Sequence, residues 1–247
     1  MRKETLVAVI CAAVAVVIVA ACLLVFDPFA WREPEVYAPV LAPVAQPPFA
    51  VEGFTAHAFD GIGALGDDIE LVSFGRYTGA FVEDGSNDPV KDVLAILVKN
   101  TGEQWIEYTE ITLPCGEETA AFECKCLPGG TYALLLEKNR MIYDATMTYA
   151  NATSAPPAYL ANAVTDFSAD FALYPDDGVV NIKNISGGDI ASDVTVNYKN
   201  EAGKYFLGGI VYRIRIEGGI PADGIVQRME PNFTALHSVL LFMTYEK

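Results

Sequence analysis

Apolar residues follow two different patterns along this chain. Residues 6–26 form an unbroken run of 21 uncharged, mostly apolar residues. After residue 68, apolar and polar residues alternate or form short apolar runs, separated by clusters of Gly, Pro, Asn and Asp. The long run predicts a membrane-spanning helix, because a helix rises about 1.5 Å per residue and the hydrocarbon core of a bilayer is about 30 Å thick. The alternation instead predicts β-strands.

The alternating pattern predicts twelve strands, six on either side of a Pro-containing interruption at residues 151–163. The first six are expected at 69–77, 93–99, 106–113, 120–127, 132–137 and 142–149. The second six are expected at 170–174, 179–183, 194–198, 210–216, 225–229 and 239–245. Short, regularly spaced strands of this kind predict an all-β sandwich fold.

The two groups of strands share short motifs in the same order. The matched pairs are Lys99-Asn100 with Lys183-Asn184, Leu127-Pro128 with Ile220-Pro221, Glu137 with Glu230, and Met-Thr-Tyr at 147–149 with that at 243–245. Each glutamate follows its proline after nine residues, whereas the second group is nine residues longer between its Lys-Asn pair and its proline. Matches of this kind indicate a duplicated domain whose second copy carries an insertion.

The flanking charges predict how the chain is arranged about the membrane. Arg2 and Lys3 precede the apolar run and Asp27 follows it, so the positive-inside rule places the N-terminus in the cytoplasm. We therefore expect a single-pass cell-membrane protein whose C-terminal domains are extracytoplasmic. The predicted parts are a cytoplasmic tail at 1–5, a transmembrane signal anchor at 6–26, a Pro-rich linker at 27–53, a β-sandwich at 54–150, a second linker at 151–163 and a second β-sandwich at 164–247.

Two alternatives to an uncleaved signal anchor stay open. Val19-Ala20-Ala21-Cys22 looks like a bacterial lipobox, which would make the protein a lipoprotein with Cys22 as the lipidated residue. Against this, residues 23–26 stay apolar, where a mature lipoprotein usually becomes polar. The second alternative is a secreted product from which the apolar run is cleaved.

Charge and composition exclude several classes of function. The chain has 32 acidic and 16 basic residues, for a net charge of −16, which excludes a nucleic-acid binder of the basic-patch kind. It has two histidines, no Gly-rich phosphate loop and no Gly-x-Ser-x-Gly motif. A catalytic triad or a nucleotide site is therefore not indicated, and we expect a protein that is not an enzyme.

The repeated Lys-Asn element resembles a known class of module. A strand that ends in Lys99-Asn100-Thr101-Gly102 or in residues 183–187, followed later by Leu127-Pro128 or Ile220-Pro221, is similar to FxLYD-type and related immunoglobulin-like modules of bacterial envelope proteins. The resemblance implies two tandem immunoglobulin-like β-sandwiches and an exported location, and it implies no reaction. Since Asn and Gly tolerate positive φ, the element is expected to close a strand and begin a tight loop.

One acidic loop is a candidate for binding calcium. Oxygen ligands fall at positions 1, 3, 5, 7 and 9 of a count that begins at Asp84, and Asp84, Asp88 and Asp92 supply those at positions 1, 5 and 9. Pro89 stands where an EF-hand requires Gly, and Ala95 stands where it requires a bidentate Glu, so an EF-hand is excluded. A looser calcium loop remains a hypothesis, with an acidic, solvated loop as the alternative. We expect no other cofactor.

The three cysteines that follow the apolar run do not have the spacing of a metal site. Cys115, Cys124 and Cys126 form a C-x8-C-x-C pattern, which lacks the C-x2-C knuckle of zinc sites. We expect them to be small buried or free thiols, and their odd number leaves an intermolecular bridge open as the alternative.

The predicted function is a non-catalytic adhesive, scaffolding or accessory role that β-sandwich modules perform for an unknown extracytoplasmic partner. The insertion, expected around residues 207–219, lengthens one hairpin, and Tyr212, Arg213 and Arg215 on it form a candidate partner surface. The alternative is a ligand- or calcium-binding subunit of an envelope complex.

Overall fold

Every regular element in the described part of the chain is a β-strand, as the alternating pattern predicts. The computed structural model describes residues 49–57, 59–161 and 164–246. The predicted tail, the apolar run with Cys22, and the linker up to residue 48 lie outside these residues. Within the described ranges, none of the elements is a helix of the length and apolarity that crossing a membrane requires.

The first half of the structure, residues 49–161, contains two sheets. Its strands are β1 (Phe54–His57), β2 (Gly63–Gly66), β3 (Ile69–Phe81), β4 (Asp88–Asn100), β5 (Ile106–Cys115), β6 (Glu118–Leu127), β7 (Tyr132–Leu136), β8 (Thr153–Ser154) and β9 (Ala158–Tyr159). One sheet has the order β1-β3-β4-β7, with β2 also on β3. In the other, β5 lies between β6 and the short strands β8 and β9.

The second half, residues 164–246, repeats this arrangement with shorter strands. Its strands are β10 (Phe171–Asp176), β11 (Val179–Asn184), β12 (Val194–Asn200), β13 (Phe206–Leu207), β14 (Tyr212–Ile216), β15 (Ile225–Met229) and β16 (Ser238–Thr244). Its sheets have the orders β10-β11-β15 and β14-β12-β16. β13 instead joins the first half, where it pairs in parallel with β7.

Alternate burial along the strands explains why these sheets form. Along β11, Val180 and Ile182 are buried, whereas Val179, Asn181 and Lys183 are partly exposed. Most sheets therefore bury one apolar face, whereas β4 and β7 are buried on both faces. One hydrophobic cluster lies within the second half, and the two clusters of the first half also include second-half residues, among them Phe206, Phe242 and Tyr205. Several sheets with apolar inner faces make an all-β fold that is consistent with a β-sandwich.

The strand pairing of the two halves matches residue for residue around the Lys-Asn motifs. Ala95 pairs with Leu136 in the first half, as Val179 pairs with Met229 in the second. The glutamates after these strands correspond as well, since the N–H of Glu137 donates to Leu94 O and that of Glu230 donates to Gly178 O. The spacing of nine residues between proline and glutamate therefore reflects the same strand register in both halves.

The repeated asparagines act as buried clamps. Asn100 Nδ2 donates to Leu127 O at 3.0 Å, and Asn184 Nδ2 donates to Ile220 O at 2.9 Å. Each acceptor is the carbonyl of the residue before the matched proline, which is why the two motifs occur together. The strands end at these asparagines, as the element predicts. Neither asparagine has positive φ, whereas Gly187 of the second element does, at +80°.

The matched Met-Thr-Tyr motifs are not equivalent, and residues 142–149 do not form the predicted strand. Tyr149 makes an isolated bridge with Cys115, the last residue of β5, whereas Thr244 pairs with Thr195 near the start of β12. The counterpart of Tyr245 is Tyr159. Two hydrogen bonds identify it: Tyr159 donates to Asp68 at 2.7 Å, and Tyr245 donates to Asp170 at 2.5 Å.

Candidate binding site at the junction of the two halves

The two halves belong to one compact unit, and an inserted loop fastens them together. Residues 201–211, here called the inserted loop, are eleven residues between β12 and β14, whereas Gly116 and Glu117 alone connect β5 and β6. The nine extra residues therefore lie before Tyr212, which corrects the expected position at 207–219. Phe206 and Leu207 pair with Ala133 and Leu134 of β7.

Two glycines allow the inserted loop to approach the first half closely. Gly208 has a φ of +80°, and its N–H donates to Leu134 O at 2.8 Å. At Gly209 an added Cβ would lie 1.6 Å from Glu123 O. Gly209 O accepts from the N–H of Lys125, so the loop is hydrogen-bonded to β6 as well as to β7. Only residues without a side chain fit this passage between the two strands.

The carboxylate of Glu83 holds the inserted loop from the first half. It accepts hydrogen bonds from the N–H of Leu136 at 2.9 Å and from the N–H of Gly209 at 3.0 Å. Burial raises the pKa of Glu83 to about 7, although these hydrogen bonds and the positive charge of Lys199 act in the opposite direction. The charge of this group therefore changes near neutral pH.

Lys199 carries a buried amine at the same junction. Its side chain is 1% exposed, and Nζ donates to Ile210 O at 2.6 Å and to Lys125 O at 3.1 Å. Nζ also lies 6.0 Å from the centre of the Phe206 ring. Burial lowers the pKa of Lys199. Sequence reasoning missed this residue, because a lysine near the end of a strand normally reaches solvent.

Two of the three cysteines flank the residue whose carbonyl this amine contacts. Cys124 and Cys126 flank Lys125, whose carbonyl Lys199 contacts, and both are buried. Cys115 is buried too, and no disulfide involves any of the three, which confirms the expectation of free thiols. Burial raises the pKa of Cys124 to about 12, so this thiol remains protonated at neutral pH.

A groove of about 1000 Å³ opens between the two halves. Its lining includes Tyr108, Lys125 and Cys126 from the first half and Asn197, Arg213 and Arg215 from the second. Arg215 is exposed and pairs with Asp193 at 2.8 Å. Arg213 is also exposed, and it forms no ion pair with any residue in the described ranges. This groove is the best candidate for a binding site.

The structure divides the predicted partner surface. Arg213 and Arg215 line the groove. Tyr212 does not share their surface, since it is 8% exposed and stacks on Tyr198 with ring centres 5.0 Å apart. Alternation along β14 explains the division, because Tyr212 and the two arginines lie on opposite faces of the strand. The role of the arginines in binding a partner stays a prediction.

The predicted calcium residues bind arginines. Asp84 and Asp88 share Arg140, at 2.6 and 3.3 Å, whereas Asp92 pairs with Arg76 at 3.2 Å. Hydrogen bonds, first from Ser86 and then from Arg140, lower the pKa of Asp84 to about 2. No three His, Cys, Asp or Glu side chains of the described residues are arranged to hold a metal ion. Calcium binding remains a prediction without geometric support, since an ion would have to displace Arg140.

Comparison with known proteins adds no further assignment. The chain matches no known protein family, no curated protein and no solved structure. The functional argument therefore depends on the geometry of the junction and on the pattern of the sequence.

Proposed function

We propose that this chain is a single-pass membrane protein that presents two tandem immunoglobulin-like β-sandwiches outside the cytoplasm and acts as a non-catalytic adhesive, scaffolding or accessory module. The apolar run at 6–26 and its flanking charges support the anchor and its orientation. The matched registers of the two halves support a duplicated sandwich. The resemblance of the Lys-Asn motifs to envelope modules supports the exported location.

The observation that carries a binding role is the groove with its exposed arginines. Arg213 is a cation without an ion-pair partner among the described residues, in a chain whose net charge is −16. Glu107, Asp193 and Glu246 also line the groove, so the favoured partner is one whose acidic group reaches Arg213 itself. The inserted loop belongs to the second half and hydrogen-bonds β6 and β7 of the first half. The two halves, which form the two walls of the groove, are therefore held together before a partner binds. This preorganisation reduces the entropy lost on binding.

The acidic partner that we favour is a polypeptide segment. Arginine is enriched at protein–protein interfaces, and Tyr108 adds a partly exposed aromatic ring to the same groove. The second candidate function is that of a ligand-binding subunit of an envelope complex, in which the groove binds a small anion. The same unpaired Arg213 favours it, because a guanidinium can bind a carboxylate or phosphate with two hydrogen bonds.

Site-specific cross-linking in cells tests the role. In the full chain, an aromatic photoreactive amino acid replaces Tyr108, which lines the groove, so that both arginines stay in place, and we expect light-dependent cross-links to another polypeptide. In a separate pull-down with the full chain, Arg213→Ser combined with Arg215→Ser should lose that polypeptide. Lys91→Ser combined with Lys204→Ser is the matched control, because it also removes two exposed positive charges but lies outside the groove. Equal recovery with both double variants would exclude the groove as the binding site.

A further inference from the structure

β15 of the second half is the counterpart of β7 of the first. β7 pairs with β4 so that Leu136 lies opposite Ala95 and Tyr132 lies opposite Lys99. β15 pairs with β11 so that Met229 lies opposite Val179 and Ile225 lies opposite Lys183. Measured from the clamped asparagines, the two registers are identical, so Tyr132 corresponds to Ile225 and Leu136 to Met229.

In the first half the inserted loop covers this position together with Phe49, whose ring centre lies 5.1 Å from that of Tyr132. Tyr132 and Leu136 are 1% and 0% exposed, in a cluster that also contains Tyr205 and Leu207. The loop adds a parallel strand to the edge of β7 through Phe206 and Leu207. Both the outer face and the edge of β7 are therefore occupied.

The corresponding position in the second half is open. Ile225 and Met229 are 62% and 74% exposed, and Tyr174 on the same outer face is 44% exposed. Of the described strands only β11 pairs with β15. Its other edge is crossed by a side chain, since Arg228 donates from Nη1 to Gln227 O at 3.2 Å and from Nε to Arg215 O at 3.3 Å.

We propose that this open face and edge of β15 bind a partner polypeptide with the chemistry of the inserted loop. The occupant is an extended segment with an aromatic–aliphatic pair followed by two glycines, which pairs in parallel with β15 and covers Ile225 and Met229. The fold itself shows that a β7-type strand accepts such a segment, and strand addition is a general mode of peptide recognition. When the segment pairs with β15, it replaces the hydrogen bonds that the Arg228 side chain donates to Gln227 O and Arg215 O.

The partner is a separate polypeptide. The inserted loop of this chain is already bound to β6, β7 and Glu83 in the first half, so a second copy does not have it free. The proposal depends on the proposed non-catalytic binding role, but it concerns a different surface from the groove. The two surfaces have only Arg215 in common, and at β15 only its backbone carbonyl is involved.

A peptide titration tests the proposal. A fluorescent peptide with the sequence of residues 203–211 is titrated onto the full chain in lipid nanodiscs, and anisotropy is measured. We expect saturable binding that Ile225→Glu combined with Met229→Glu weakens at least about tenfold. Ile62→Glu combined with Ile142→Glu is the matched control, because these residues are 43% and 56% exposed in the first half, and it should bind as the parent does. A peptide with Ser at the positions of Phe206 and Leu207 should not bind.

Three results would overturn the proposal. They are the absence of saturable binding, binding that the substitutions at Ile225 and Met229 leave unchanged, and self-association of the parent chain that these substitutions abolish. The second result would mean that the peptide displaces the inserted loop from β7, and the third that a second copy is the occupant. Failure of the groove proposal is distinguishable, because the titration leaves Arg213 and Arg215 intact.

Discussion

Single buried polar residues determine how the strands of each half are held. Asn184 is fully buried and donates to Gly188 O at 2.7 Å and to Ile220 O at 2.9 Å. Asp170 accepts from Tyr245, as Asp68 accepts from Tyr159. A buried carbonyl without a donor costs free energy, so these side chains are as important to the fold as the apolar core.

The clamp predicts a loss of stability when it is removed. Asn184→Ala removes the buried hydrogen bonds that Nδ2 donates to three carbonyls and the one that Oδ1 accepts from the N–H of Ser186, and we expect the free energy of unfolding to fall by about 1–3 kcal/mol. Asn181→Ala is the matched control in the same strand. Asn181 makes only one long hydrogen bond near the surface, of 3.4 Å, so its loss should change stability by about 0.5 kcal/mol or less. Denaturant unfolding measures both, and equal losses would contradict the clamp.

Glu83 predicts a pH dependence. Because the pKa of its buried carboxyl is raised from 4.5 to about 7, protonation favours the folded state. The contribution of this group is full below its unfolded pKa of 4.5 and is lost as pH rises through about 7. Glu83→Gln has no such titration. We therefore expect the melting temperature of the variant, relative to that of the parent, to rise between about pH 5 and pH 8. The corresponding change in the difference between their free energies of unfolding is up to about 3 kcal/mol. A difference that does not change with pH would refute the assignment.

At the scale of elements, the hydrophobic pattern predicts most strands to within a few residues. The strands expected at 179–183 and 225–229 are observed at Val179–Asn184 and Ile225–Met229. The pattern fails at 142–149, where apolar residues line up without a continuous partner strand. Alternation gives the period of burial but not which face is buried, and this is why Tyr212 was expected to be exposed and Lys199 was not expected in the core.

The candidate site was predictable only in part, because it depends on contacts distant in sequence. The matched motifs revealed the nine extra residues, and the predicted arginines of β14 line the groove, although their role as a partner surface stays a prediction. Nothing in the sequence near Phe206 indicates that it pairs with β7, about 70 residues earlier. Pairing between strands this far apart is set by tertiary packing, which local propensity does not describe.

Gly209→Ala tests the fit of the inserted loop. Its new Cβ would meet Glu123 O, a backbone atom that cannot move aside, so we expect a loss of about 2 kcal/mol or more and faster proteolysis of residues 201–211. Gly188→Ala is the control, because nothing lies within 4 Å of its added Cβ and its φ is not positive. Unchanged proteolysis of the loop in the Gly209 variant would mean that the loop docks less tightly than the distances indicate.

At the scale of the whole molecule, the charge distribution is consistent with a tethered module. The residues after the apolar run contain the whole acidic surplus, since Glu4 is outnumbered by Arg2 and Lys3 in the segment before it. A net charge far from zero keeps such a body soluble and repels other acidic surfaces. Binding to an acidic partner then depends on local cations such as those of the groove.

Topology can be measured on intact cells. With an epitope tag at the C-terminus of the full chain, we expect added protease to remove the tag without breaking the membrane, and a tag at the N-terminus to be protected. Cys22→Ser should leave the chain in the membrane fraction, because the anchor prediction does not require a lipid. Release of the variant would instead support the lipoprotein alternative.

The parallel pairing of β13 with β7 has a consequence for the order of synthesis. A ribosome completes β7 at residue 136 but adds Phe206 only after about 70 more residues, roughly 4 to 14 seconds later. During that delay the edge of β7 lacks the parallel strand that pairs with it in the complete protein. The unfinished chain is therefore expected to be more prone to strand-edge association than the complete one.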